Sequence, residues 1–126
     1  MKRLIFGTTL AVSLGLSTFA QAGCTLYEHR DFQGAAWHLD NLETMIMVDG
    51  EDIGCTTNGH GSGCPSYIYE GSWNDAVSSF DVDPGCTLTL WEDINEGGYH
   101  FRSDGGYSYV GGDWNDEASE AECICT

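Results

Sequence analysis

The 126-residue sequence predicts an all-β fold, a sandwich or barrel, and three observations carry that prediction. Apolar and β-branched residues fall in strand-sized runs at 25–27, 36–39, 67–69, 77–82, 87–91, 99–101 and 123–126. Between the runs lie clusters of Gly, Asp and Asn, among them FQGA, VDGED, NEGG, SDGG and GGD, which are turn signals. Short strands at regular spacing with many turns are the signature of sandwiches and barrels. Third, SWNDAVSSF at 72–80 returns as DWNDEASEA at 113–121, so one local job is written twice. Only NLETMIMV at 41–48 has any helical character; it is too short to change the class, and helical turn or strand stays open there.

Residues 1–22 read as a secretory signal peptide rather than as part of the fold. Lys2 and Arg3 precede an apolar run, and Ala20-Gln21-Ala22 fits the small-x-small cleavage pattern. The run is too short for a membrane span, and no later segment is long and apolar enough for one. The mature chain is expected to begin at Gly23 as a single domain, 23–126, exported to the extracellular space or periplasm. The alternative, lipidation of Cys24 after a lipoprotein-type cut, is disfavoured by Gln21 and by the counterpart of Cys24 at Cys86.

Cleavage removes half of the Lys and Arg residues. Arg30 and Arg102 then face 20 acidic side chains, a net charge of −18. Nucleic acid and anionic membrane surfaces would be repelled, so neither is an expected partner. Four Trp, six Tyr and five Phe set the chain apart from disordered acidic tails. Most of the carboxylates serve solubility; a few can be placed to hold a cation. In an exported chain the six cysteines, Cys24, Cys55, Cys64, Cys86, Cys123 and Cys125, read as three disulfides. Zinc on Cys55, His60 and Cys64 lacks a fourth ligand.

The repeat extends beyond Trp-Asn-Asp. CTLYEHRDFQGAAW at 24–37 aligns with CTLTLWEDINEGGYHF at 86–101, with Tyr27 and Trp91 opening the pattern, Phe32 and Glu96 five residues on, and Gly34 and Gly98 seven on. An aromatic that covers a Gly-bearing turn suits a tight hairpin. Tyr27-x4-Phe32-x-Gly34, followed by Asn74-Asp75-x-x-Ser78-Ser79, resembles a Greek-key motif of the βγ-crystallin superfamily; the second copy ends in Asn115-Asp116-x-x-Ser119-Glu120. The resemblance covers the whole mature chain. It implies one disulfide-stapled sandwich of two Greek keys, motif one at about 24–83 and motif two at about 86–126. Trp91 and Asn115 are 24 residues apart but Tyr27 and Asn74 are 47 apart, so motif one carries an insertion, placed at about 42–66. Within it Cys55 and Cys64 are expected to close an exposed loop. Because first and last strands of a Greek key are neighbours, Cys86 is expected to pair with Cys123 or Cys125, and Cys24 with the other.

The resemblance to microbial members of the superfamily implies calcium. Ca²⁺ takes six to eight hard oxygens, and NDAVSS offers two side-chain oxygens, a backbone carbonyl at Ala76 and a hydroxyl at Ser78. The expected ligand set is Glu28, Asn74, Asp75, Ala76 and Ser78 with Glu92, Asn115, Asp116, Glu117 and Ser119; the two glutamates after Tyr27 and Trp91 are expected to supply backbone carbonyls, each completing the other motif's site. Trp73 and Trp114 are expected to pack on the core. Glu120 stands in place of the last Ser and adds a carboxylate that could join the second site.

No enzyme is expected: there is no Gly-x-Ser-x-Gly and no His-Glu-x-x-His, and the four histidines are scattered. The chain reads as a monomeric calcium-binding domain with up to two ions. The rival reading is an exported protease inhibitor or toxin on the same fold, acting through the Cys55–Cys64 loop.

Overall fold

A computed structural model describes residues 22–48 and 67–126. The expected signal peptide, residues 49–66 and the Cys55–Cys64 loop lie outside the described residues. Eight strands form two sheets: β1 (Gly23–His29), β2 (Gln33–Asp40), β3 (Glu43–Ile46), β4 (Ile68–Tyr69), β5 (Ser79–Val82), β6 (Cys86–Asp93), β7 (Gly97–Ser103) and β8 (Glu120–Cys125). The first sheet has the order β2-β1-β5 and the second β4-β3-β8-β6-β7. All pairings are antiparallel except β3 with β4.

The two motifs exchange strands. β3 follows the β1–β2 hairpin of motif one yet pairs with β8 of motif two, Met45 opposite Ala121. In return Tyr107 of motif two bridges Phe80 on β5, and the Val110 N–H donates to the Ser78 carbonyl at 2.9 Å. Each sheet therefore contains parts of both repeats, which brings the two Trp-Asn-Asp segments side by side.

Alternation decides which side chains enter the core. Cys24 and Leu26 on β1, and Cys86, Leu88 and Leu90 on β6, point inward against Leu39, Met45, Phe80 and Cys123. Each fully buried Leu or Phe contributes roughly 1.5–3 kcal/mol. Trp73 is buried, and Trp114 packs edge-on to Phe101 with ring centroids 5.9 Å apart, so both indoles belong to the core as expected. Cys24–Cys123 joins the two sheets across a separation of 99 residues, and Cys86–Cys125 joins neighbouring strands. In the chain-entropy account, closing about 100 residues removes about 4–5 kcal/mol of unfolded-state freedom.

The first residues of the expected insertion at about 42–66 include a strand, since 43–46 is β3 and Thr44, Met45, Ile46 and Met47 are buried. Four adjacent core positions with a β-branched start make NLETMIMV a strand, not a helical turn.

Candidate metal site

Two hairpins build the site, and they share one geometry. In each, a bulge follows the opening aromatic, between Tyr27 and His29 or between Trp91 and Asp93. Then two residues take left-handed backbone, Asp31 and Phe32 at φ 58° and 59°, Asn95 and Glu96 at 59° and 57°. Gly34 and Gly98 follow at φ 81° and 72°. Tyr27 covers its turn edge-on, 5.6 Å from Phe32.

A buried side chain pins each folded hairpin. Ser79 Oγ accepts the Phe32 N–H at 3.1 Å and donates to the His29 carbonyl at 2.6 Å. In motif two Glu120 Oε2 accepts the Glu96 N–H at 2.7 Å. Glu120 is only 2% exposed, so it is the counterpart of Ser79 and a hairpin pin, not an added ligand as its carboxylate had suggested. Burial raises its pKa first, the Glu96 and Glu122 carboxylates add to the rise, and the backbone N–H groups of Glu96 and Asn95 oppose it.

The two Asn-Asp-x-x-Ser segments, 74–78 and 115–119, called clamps for the way they cross, sit on the hairpins by backbone bonds. Ser78 N–H donates to the Tyr27 carbonyl at 3.0 Å, and Ser119 N–H to the Trp91 carbonyl at 2.9 Å. This sets each serine beside the glutamate that follows its aromatic. Asp75 and Asp116 take left-handed backbone, φ 56° and 58°, a conformation that Asp tolerates better than most residues. Their N–H groups cross over, Asp75 to the Ala118 carbonyl at 3.0 Å and Asp116 to the Val77 carbonyl at 3.2 Å. The side chains cross as well: Ser78 Oγ donates to Asp116 Oδ1 at 3.3 Å, and Ser119 Oγ to Asn74 Oδ1 at 2.8 Å.

Around Ser78 an open cavity of about 740 Å³ gathers Glu28, Asp75, Ala76, Ser78, Asn115 and Asp116. Six of the ten expected ligands therefore surround one space. Their donors are oxygens throughout, a set suited to a hard cation such as Ca²⁺. Around Ser119 a second cavity, about 750 Å³, is lined by Asn74 and Ser119 together with Asp93 and Ile94. Glu92 and Glu117 do not line it. Both are exposed. The second set is only partly assembled.

Three features of the site escape the motif. They are Arg30 and Tyr109, which line the first cavity, and the pinning role of Glu120. Arg30 is visible only as one of two arginines in the acidic residues 23–126. Tyr109 lies where no strand was expected. The Sγ atoms of Cys86, Cys123 and Cys125 also lie within 4.8 Å of one another, but all three are disulfide-bonded and offer no thiolate.

Two Greek keys that exchange strands around a shared pair of clamps define a βγ-crystallin domain fold, and solved structures agree. A double-mutant βγ-crystallin domain from Clostridium beijerinckii superposes with a TM-score of 0.61 at 23% identity, covering 84% of this chain and all of its own. A domain from Flavobacterium johnsoniae gives 0.59 at 20% identity, covering 82% and 94%. A clostrillin double mutant in complex with nickel gives 0.58 at 22% identity, covering 81% and 97%. No protein-family model matches the chain, and no curated protein matches it.

Proposed function

We propose that this protein is an exported, non-enzymatic calcium-binding module in which calcium stabilises the fold. The observation that carries the reading is the convergence of Glu28, Asp75, Ala76, Ser78, Asn115 and Asp116 on one cavity, with Ser78 and Asp116 supplied by different motifs. A cation held there ties the two repeats together and offsets part of the −18. The βγ-crystallin fold supports the reading, as does the nickel complex of the clostrillin mutant, a metal complex of a similar domain. The second site is the weaker of the two, since Glu92 and Glu117 stand outside its cavity. At an affinity of roughly 10⁻⁴ M, as in extracellular calcium modules, each site contributes about 2.7 kcal/mol when calcium is 100 times the dissociation constant.

Calorimetric titration of the oxidised chain 23–126 with calcium tests this. The expected result is a saturable heat that magnesium does not reproduce, with the tighter component lost in Ser78→Ala. Absence of any calcium heat contradicts the proposal. A partner bound equally well in calcium and in chelator would instead favour the inhibitor or toxin reading.

A further inference from the structure

The first cavity holds more than a cation needs. Water occupies about 30 Å³ in the liquid, so an ion with two or three waters fills a small part of about 740 Å³. The cavity is open to solvent, so a small ligand there would keep part of its surface in water. On its wall stands Arg30, one of two Lys or Arg side chains in residues 23–126. Its guanidinium carbon lies 4.0 Å from the centroid of the Tyr109 ring. Among the described residues it makes no ion pair, although the chain carries 20 carboxylates and Asp75 and Asp116 line the same cavity. A cation stacked on a ring keeps its N–H donors for another partner.

The backbone of the turn that carries Arg30 is fixed in advance: the Asp31 N–H donates to the Ser108 carbonyl at 2.8 Å, and Ser79 holds the Phe32 N–H. The Arg30 side chain is exposed, and the Tyr109 ring is what it rests on. The sibling hairpin provides an internal comparison. Position 30 corresponds to Ile94, which sits in the same bulged turn on the wall of the second cavity, beside Met47 and Val48. The turn thus folds with an aliphatic residue there, so the hairpin does not require arginine.

Building on the calcium reading, we infer that the first clamp is half of a composite site, in which calcium and Arg30 together take the carboxylate of a small hydroxy- or sugar-acid. A carboxylate matches both partners: hard oxygens complete a Ca²⁺ shell of six to eight, and the guanidinium fork donates two parallel N–H bonds to the planar group. Ligand hydroxyls find a polar neighbour in Ser72, whose Oγ donates to Glu70 Oε1 at 2.8 Å and can still accept. A polyanion is excluded by the −18 field; a singly charged ligand is not.

The test uses the oxidised chain 23–126, titrated first with calcium and then with D-galacturonate, with D-galactose as the ring lacking the carboxylate. Calcium-dependent binding of galacturonate but not galactose is expected. Arg30→Ile, which copies the sibling hairpin, and Arg30→Gln should each weaken it about tenfold or more while the calcium titration is retained. Calcium binding without galacturonate binding overturns the inference alone, as does undiminished binding by both Arg30 variants. Failure of the first titration overturns the inference and the calcium reading together.

Discussion

Ser79 and Glu120 occupy equivalent positions, and both pin a left-handed turn, one with a hydroxyl and one with a carboxylate. Ser79 is fully buried and serves two backbone groups at once. Ser79→Ala takes the partner from the Phe32 N–H and the His29 carbonyl in part-buried bonds, at a cost of up to about 1–3 kcal/mol. Thermal unfolding should therefore shift down by several degrees, at about 4–8 °C per kcal/mol for a domain of this size. Glu120 makes the opposite kind of prediction. Its folded pKa lies above the ordinary 4.5, so the folded state binds its proton more tightly than the unfolded chain does. The stability from that proton is fully present below the ordinary value and lost as pH rises through the raised one. Glu120→Gln keeps an acceptor for the Glu96 N–H without the charge. Compared by denaturant unfolding, it should be more stable than the parent at neutral pH, with the gap closing below pH 4.5. A gap independent of pH would contradict the assignment.

The hairpin is the element that the sequence shows best and explains least. The spacing of Tyr27, Phe32 and Gly34 announces a tight turn, and the structure supplies the reason for Gly34. Its φ is +81°, and a Cβ there would stand 2.5 Å from His29 Cδ2. Gly34→Ala is accordingly expected to destabilise the domain by more than the roughly 1 kcal/mol of an ordinary glycine replacement, as read by the denaturant midpoint. Gly111, also at positive φ but with open space around it, should lose less. The alternating apolar runs of β1 and β6 were legible because one face of each meets the core. The segment at 107–110 was not, because its link to β5 runs through Tyr107 and Val110 and leaves no periodic stretch behind. NLETMIMV was ambiguous for a related reason. A short run buried throughout has no polar face from which to read a period, and its strand identity comes from β8, over 70 residues away in sequence. For the site, the repeat gave the ligand types; it did not foresee that Glu28 lines a cavity with Asp75, Ala76 and Ser78 of its own motif. It could not give the difference between the two cavities, which depends on what Arg30, Ile94 and Tyr109 meet in space.

At the scale of the molecule, three kinds of link oppose the self-repulsion of residues 23–126, which carry −18. The sheets share a core, two disulfides close the strands at the end away from the hairpin turns, and the crossed clamps join the repeats at the other end. In the proposed function calcium would belong to the last of these. If it fills the clamps, it binds only when both motifs are in place, so its binding energy is added to the stability of the folded domain. The most direct test is thermal unfolding of the oxidised chain 23–126 in millimolar calcium, and again in chelator with excess magnesium. The account predicts a calcium-specific rise of about ten degrees or more, from about 2.7 kcal/mol per filled site. Identical midpoints in the two buffers would contradict it and leave the clamps as hydrogen-bonded links between the repeats.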